Sequence, residues 1–168
     1  MAEVQFKPLK DVGTLPITDT SELRFYVDEY KGYTYASIRT FVKREDYSGP
    51  TKAGLTLNPG LLKDLIETLE KLPPEPAATE DKELARFPKK AGLELVVRIT
   101  LYHDSTGVDI REWVDDGTYT GWSKKGVRLQ YPAIAQALGF LREMRTFLEK
   151  QPKKPPAEKK KSAAPEDE

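Results

Sequence analysis

Alternating apolar and polar positions occur in two pairs of segments, one pair in each half of the chain. The first pair is ELRFYVDEY and YTYASIRTFV, and the second pair is LELVVRITLY and VDIREWV. A period of two is typical of a β-strand with one buried face. Each pair is followed by shorter segments, within YSGPTKAGLTL or YTGWSKKGVRL. We expect these segments to supply the remaining strands of each sheet.

A helical period follows the strands in each half. Asn58 is a suitable N-cap, and Pro59 fits the first helical position. Apolar side chains then recur every three or four residues: Leu61, Leu62, Leu65, Ile66, Leu69 and Leu72 in the first half, and Ile134, Ala137, Leu138, Leu141 and Met144 in the second. The pattern predicts the element order ββββα in each half, and therefore an α+β fold.

The two halves are copies of one unit. With a shift of 72 residues, 38–57 align without gaps to 110–129, and 8 of 20 positions are identical. Ordinary composition would give about one identity. The identical pairs include Arg39 with Arg111 and Gly54 with Gly126. An internal repeat of this kind predicts two structurally equivalent units.

The composition between and around the repeats divides the chain into five segments. Residues 1–20 have no clear pattern, 21–72 form the first unit, and 93–150 form the second. Residues 73–92 are rich in proline, alanine and charge, and we interpret them as a linker in which EDKELARF could form one helical turn. Residues 151–168 are predicted to be a disordered tail, first lysine-rich and then acidic.

Composition excludes several classes of function. The 168-residue chain has no cysteine and one histidine, His103, so a disulfide or a thiolate or imidazole zinc site is not expected. No segment predicts a signal peptide or a membrane span, which favours an intracellular protein, in the cytoplasm or nucleoid of a bacterium or in a eukaryotic nucleus. No catalytic motif is present, and we expect neither an enzyme nor a cofactor. Acidic and basic residues number 27 each, so binding of nucleic acid would depend on a local basic surface.

One helix can cover only one face of a four-stranded sheet, which leaves a second face in each unit. Strand alternation places arginines and aromatic rings on that face, including Arg39 and Phe41 in the first unit and Arg111 and Trp113 in the second. Unpaired bases stack on rings while basic groups contact phosphates, so this face suits single-stranded nucleic acid. Cross-strand packing or a protein interface is the alternative, with the arginines paired to neighbours such as Asp109.

The segments IRTFVKREDYSGPTKAGLTLNP and DIREWVDDGTYTGWSKKGVRLQYP resemble the transcriptional coactivator family called positive cofactor four. The shared features are an Ile-Arg-x-aromatic strand, an acidic turn, a lysine and glycine before an alternating strand, and a following helix. The resemblance covers about 50 residues of each copy. It implies two ββββα units that pair as an intramolecular pseudo-dimer and bind single-stranded DNA on their curved sheets.

The resemblance also implies a set of nucleic-acid-binding residues. Carried over position by position, they are Tyr30, Lys31, Arg39, Phe41, Lys52, Tyr102, Arg111, Trp113, Lys124 and Lys125. The second unit departs from the family pattern at His103, which replaces a basic residue, and at the acidic pair Asp115 and Asp116. We therefore expect the two halves to bind unequally, with the second half weaker.

The expected function is single-stranded DNA binding in transcription regulation or genome maintenance, with the transcription machinery as a further partner. The alternatives are an RNA-binding protein of the same fold and a protein-interaction module that uses the aromatic face. No membrane partner is expected. Because one chain supplies both units, the protein could act as a monomer.

Overall fold

The computed structural model describes residues 2–3, 8–77 and 80–151. The first unit contains β1 (Ala2–Glu3), β2 (Lys10–Thr18), β3 (Ser21–Tyr30), β4 (Tyr33–Lys43), β5 (Tyr47–Leu57) and helix α1 (Pro59–Glu70). The second unit contains β6 (Lys82–Lys90), β7 (Leu93–Tyr102), β8 (Ser105–Asp115), β9 (Thr120–Gln130), a 3₁₀ turn (Tyr131–Ala133) and helix α2 (Ile134–Glu149).

Each unit is an antiparallel meander followed by a helix. The strand order is β5-β4-β3-β2 in the first sheet and β6-β7-β8-β9 in the second, and β1 adds a short parallel pairing to β5. The 72-residue repeat is preserved in the register, because Phe25 opposes Ile38 as Val97 opposes Ile110. The predicted α+β fold of two ββββα units is confirmed.

The positions of two strands were predicted wrongly. Tyr47–Leu57 and Thr120–Gln130 are each one long strand, where we expected two short ones. The additional strand of each sheet comes first in its unit: β2 lies within the N-terminal segment 1–20, and β6 lies within the predicted linker 73–92.

The missed strands have weak sequence signals for a physical reason. Both are edge strands with one unpaired side, so much of each strand is exposed and the alternation of apolar and polar residues is poor. Both contain a proline, Pro16 or Pro88, and edge strands tolerate the missing N–H. The predicted tail, apart from Gln151, lies outside the described residues.

The predicted start of helix α1 is confirmed. The Asn58 side chain accepts a hydrogen bond from the backbone N–H of Leu61 at 2.8 Å, with Pro59 in the first turn. The predicted apolar stripe is buried from Leu61 to Leu69. Neither helix in the described part of the chain is long and apolar enough to cross a membrane.

The two units share one hydrophobic core, so they form the expected intramolecular pseudo-dimer. The cluster joins the inner faces of both sheets to both helices, and it includes Phe25, Ile38, Leu65, Val97, Ile110 and Leu141. Strand β5 contacts β9, and α1 contacts α2. The apolar side of each sheet is therefore covered partly by the other unit.

Polar contacts also join the two units, and two of them differ in character. Arg142 of α2 donates to Glu70 of α1 at 2.9 Å, and these residues occupy the same position of the repeat. The contact therefore lies close to the axis that relates the units, where an identical pair would place two like charges together. The second contact is buried: Lys89 donates to Glu112 at 2.7 Å and to the Thr56 carbonyl of the other unit at 3.2 Å.

The buried ion pair exists in only one half. The Lys89 and Glu112 side chains are 3% and 5% exposed, whereas the matching positions in the first unit hold Ile17 and Thr40. Breaking a buried pair leaves an unpaired charge, whereas replacing both partners with apolar or small residues is often nearly neutral.

We expect Glu112→Thr alone to lower the free energy of unfolding by about 3–5 kcal/mol, because Lys89 then stays buried without its carboxylate. The double variant Lys89→Ile/Glu112→Thr copies the first unit and should recover most of that loss. Urea denaturation of the three proteins measures the effect. A double variant as unstable as the single one would show that the pair itself holds the units together.

Candidate nucleic-acid interface

Each sheet has a face that points away from the helices. We call the first open face the side of the first sheet that carries Arg24, Tyr26, Tyr30, Tyr35, Arg39 and Phe41. The second open face is the side of the second sheet that carries Arg86, Arg98, Asp109, Arg111, Trp113 and Trp122. Strand alternation explains both sets, since the residues between them in sequence, such as Phe25 and Ile110, lie in the core.

A strand arginine lies across a glycine in both units. Arg39 opposes Gly54, and Arg111 opposes Gly126. A Cβ atom placed on either glycine would come within 2.8 Å of the arginine Cζ. The glycine therefore lets the guanidinium lie flat on the neighbouring strand. This contact explains why the same arginine and glycine recur in both copies of the repeat.

Each of the two arginines also donates a hydrogen bond to a backbone carbonyl, and the two carbonyls occupy matching positions of the repeat. Arg39 donates to the Thr51 carbonyl at 2.9 Å, and Arg111 reaches the matching Ser123 carbonyl at 3.5 Å. Both carbonyls lie in the bulged part of the last strand of the meander, β5 or β9, just before the glycine. A bulge displaces the strand locally, which brings its carbonyl groups toward the open face.

The two faces differ in the group beside that arginine. In the second unit Asp109, 5% exposed, accepts two hydrogen bonds from Arg111 at 3.1 Å and one from Arg98 at 3.3 Å. The matching residue in the first unit is Ser37, and no carboxylate pairs with Arg39 among the described residues. The alternative interpretation of Arg111 as the partner of a neighbouring acid is therefore confirmed, while Arg39 keeps an uncompensated charge.

The second open face holds a cluster of tryptophan and arginine. The rings of Trp113 and Trp122 meet edge to face with centroids 4.8 Å apart. The guanidinium of Arg98 lies 4.3 Å from the Trp122 centroid, and that of Arg86 lies 6.0 Å from Trp113. Both indoles are half-buried. The exposed parts of the two indole rings and the adjacent guanidinium groups form a surface on which a flat aromatic group could stack.

The cluster is bounded by acidic residues. Arg86 is held by Glu83 and Glu94 at 2.9 and 2.8 Å, and the hydrogen bonds from Arg86 lower the pKa of Glu83. Asp116 accepts the backbone N–H groups of Thr118 and Tyr119, which lowers the pKa of its carboxyl. Asp116 therefore lies in the turn that joins β8 to β9, whereas Asp115 is the last residue of β8.

The first open face hides one of its predicted contacts. Phe41 is 4% exposed, with the Arg24 guanidinium 4.2 Å above its ring and Tyr26 edge-on at 6.3 Å. In the described structure the Phe41 ring is therefore too buried for a base to stack on it. Trp113 at the matching position is only half-buried, so part of its ring is exposed. Arg24 covers the ring and occupies the position that Val96 has in the second unit.

The predicted aromatic residues at the strand ends lie on hairpin tips. Tyr30 and Lys31 form the tip between β3 and β4, with the lysine 5.3 Å from the ring. Tyr102, 64% exposed, and His103 form the matching tip between β7 and β8, with rings 4.1 Å apart. His103 has a positive φ of 48°, in agreement with its predicted place in a turn.

The predicted residues therefore fall into two groups on each face. Arg39 and Arg111 lie at the centre of their sheets, and Tyr30 and Tyr102 lie six residues or more along the strands, roughly 20 Å away at 3.3 Å per residue. Lys52 and Lys124 are exposed on the last strand of each meander, β5 and β9, and Lys125 is half-buried. The strand pairing therefore keeps the hairpin tips far from the central arginines Arg39 and Arg111.

The predicted site left out three residues of the interface. They are Arg86, Arg98 and Trp122, which complete the cluster around Trp113 and Arg111, whereas Asp109 was predicted only as a partner of the arginines. Arg86 lies on β6, within the segment that was predicted to be a linker, so the sequence did not predict that Arg86 belongs to a sheet. Alternation put Arg98 on the correct face, but only the cross-strand register shows that it reaches Asp109 and Trp122.

One comparison with known proteins finds a family model that is similar to the first unit. A family model described as Transcriptional Coactivator p15 (PC4) matches residues 17–68, about a third of the chain. The resemblance to the positive cofactor four family is therefore confirmed for this unit, and the second unit repeats its fold. No curated protein matches the chain. The crystal structure of WHY3 from Arabidopsis thaliana aligns over 80% of this chain and 86% of its own, with 10% identity and a TM-score of 0.42, which is too low to bear on function.

We expect the arginine to require its glycine. Gly54→Ala should displace the Arg39 guanidinium, because the new methyl group would come within 2.8 Å of it. The displacement should appear in NMR spectra as a changed Arg39 Nε–H shift without loss of the fold. Gly139→Ala, on an exposed stretch of α2 with open space around it, is the control. An unchanged Arg39 signal in Gly54→Ala would contradict the described packing.

Proposed function

We propose that this protein, whose first unit is similar to the positive cofactor four family, binds single-stranded DNA on its two open faces and acts in transcription regulation or genome maintenance. The observation that carries the proposal is the combination of accessible arginine and aromatic side chains on the uncovered side of both sheets. A face of this composition fits a strand with unpaired bases better than a duplex, whose bases are stacked on each other.

The central arginines supply the phosphate contacts. Arg39 donates from Nη1 to the Thr51 carbonyl, and an arginine can bind a phosphate through two N–H groups at once. Lys52 and Lys124, exposed on the neighbouring strand, add positive charge. The chain has no net charge, so the attraction is local and should weaken steeply with salt.

The aromatic residues supply stacking. Tyr102 is exposed, and the edges of Trp113 and Trp122 are accessible beside Arg98 and Arg86. A base stacked on such a ring gains about 1–3 kcal/mol. Stacking is tolerant of sequence, because every base has an aromatic face, so we expect binding with little sequence preference.

The first unit should bind phosphate more strongly than the second. Within the described residues Arg39 has no carboxylate partner, whereas Arg111 and Arg98 share the charge of Asp109. The second unit has more accessible aromatic surface and should contribute more of the stacking. The two open faces would then contribute unequally to the binding of one DNA strand, or of the two DNA strands of a melted duplex.

The direct test is a titration with an unstructured thymidine oligomer. We expect a change in the fluorescence of Trp113 and Trp122 and an affinity that falls with salt concentration. Trp113→Ala should weaken binding by about 1–3 kcal/mol, roughly 5- to 150-fold, through lost stacking. Lys63→Ala, on the helix side, removes a charge without touching either face and should change little.

Three outcomes of that titration separate the alternatives. Tighter binding of a uridine oligomer than of the thymidine oligomer would replace the proposal with RNA binding. No binding of either oligomer at low salt would favour a protein-interaction surface. Undiminished DNA binding by an Arg39→Ala/Arg111→Ala/Trp113→Ala variant would place the DNA elsewhere on the protein.

Exchanging one residue between the units tests the inequality. Asp109→Ser copies the first unit and should tighten DNA binding about fivefold, since one charge at about 4 Å in water is worth about 1 kcal/mol. Ser37→Asp should weaken binding by a similar factor. Labelled-oligonucleotide anisotropy measures both, with Glu149→Ser at the end of α2 as the control for lost acidic charge. Weaker binding by Asp109→Ser, or tighter binding by Ser37→Asp, would contradict the electrostatic account.

A further inference from the structure

A cavity of about 510 Å³ lies between helix α1 and the first two strands of the second sheet. Its floor is apolar and includes Ala85, Phe87 and Ile99, whose side chains lie on the inner side of the sheet. The cavity is therefore on the opposite side of the sheet from the open faces. Its size falls in the range of small-molecule sites.

The same place in the other half of the pseudo-dimer is filled by a phenyl ring. Phe140 of α2 packs against the first sheet, with its ring centroid 5.1 Å from that of Phe25. A Cβ atom on Gly13 would come within 2.3 Å of the Phe140 ring. The ring therefore lies directly on the glycine backbone of β2, which closes the gap between helix and sheet.

The three residues that make this packing are replaced by other residues at the matching positions around the cavity. The positions matching Phe140, Gly13 and Phe25 hold Thr68, Ala85 and Val97. Thr68 is too short to reach the sheet, and its hydroxyl donates to the Asp64 carbonyl within its own helix at 2.8 Å. The smaller side chains leave the cavity where the other half has two stacked rings.

The rim of the cavity differs from the other half in charge. Lys10 of β2 and Glu143 of α2 form an ion pair at 3.5 Å that spans strand and helix. The matching positions at the cavity hold Lys82 and Lys71, which are both basic. The helix and strand therefore place two ammonium groups at the rim, where the other half has a lysine and a carboxylate.

Two carboxylates also line the rim. Glu67 pairs with Lys63 at 3.6 Å on the outer side of α1, which offsets its charge. Asp64 remains, so the rim has an excess of positive charge. An anionic group bound between Lys71 and Lys82 would supply the charge that Glu143 supplies in the other half.

We propose that this cavity binds a small aromatic carboxylate. The ring takes the space that Phe140 fills in the other half, and the carboxylate lies between Lys71 and Lys82. The site is separate from the DNA-binding faces, and its test does not depend on DNA binding.

The probe is 3-phenylpropionate, compared with the neutral 3-phenylpropanol by NMR of the full chain. We expect saturable methyl shifts at Ala85, Leu84 and Ile99 with a dissociation constant at or below about 1 mM, in line with the weak affinity of ligands of this size. The alcohol should bind several-fold more weakly. Shifts that never saturate, shifts outside the cavity, or equal affinity for acid and alcohol would overturn the proposal.

Two variants locate the site. Thr68→Phe/Ala85→Gly copies the ring and glycine of the other half and should abolish probe binding. Lys71→Glu copies Glu143 and should weaken binding of the acid at least tenfold while leaving the alcohol unchanged. Lys150→Glu, exposed at the end of α2, is the charge control. If the double variant fails to fold, Lys71→Glu decides, and binding of the acid that is unaffected by it would overturn the proposal.

Discussion

The mutual burial of the two inner sheet faces is the constraint on which the rest of the structure depends. A four-stranded sheet with one helix has more apolar surface than the helix covers, and burial of that surface is the main favourable contribution to folding. The two units bury this remaining apolar surface against each other in one core, which extends from Phe25 and Ile38 through the helices to Val97 and Ile110. Because the inner faces are largely buried in this way, the outer faces are the broad sheet surfaces left uncovered.

Duplication within one chain allows the two units to differ. In a symmetric dimer Glu70 would meet a second copy of itself, whereas here Arg142 occupies the matching position and forms an ion pair. The buried pair of Lys89 and Glu112, the Asp109 carboxylate and the Phe140 ring likewise occur in one half only. We infer that the shared positions maintain the fold and the central arginines, and that the differing positions give each half its own surface.

The sequence predicted the parts of the structure that have strong periodicity. The alternation of β3, β4, β7 and β8 and the apolar stripes of both helices follow from apolar residues that are mostly buried. The Asn58 cap follows from the local chemistry of a helix start, since its side chain accepts the Leu61 N–H. The edge strands β2 and β6 were missed because partial exposure and a proline weaken the pattern. The central arginines were predicted, but the reason for their repetition with Gly54 and Gly126 required the cross-strand register.

The surroundings of the candidate site were harder to predict because they depend on contacts across strands. Alternation gives the face of a residue, but not which neighbour it reaches. It could not show that Arg24 covers Phe41, or that Asp109 binds both Arg98 and Arg111. It also could not place Trp122 against Trp113, because the bulge in β9 shifts the register between them and the central arginine.

The central claim is that a single strand of DNA lies on the open faces. Backbone amide shifts measured by NMR while an unstructured thymidine oligomer is added test it most directly. We expect the largest changes in β3, β4, β7 and β8 around Arg39 and Arg111, and small changes in α1 and α2. Changes concentrated on the helices, or none at low salt, would contradict the account.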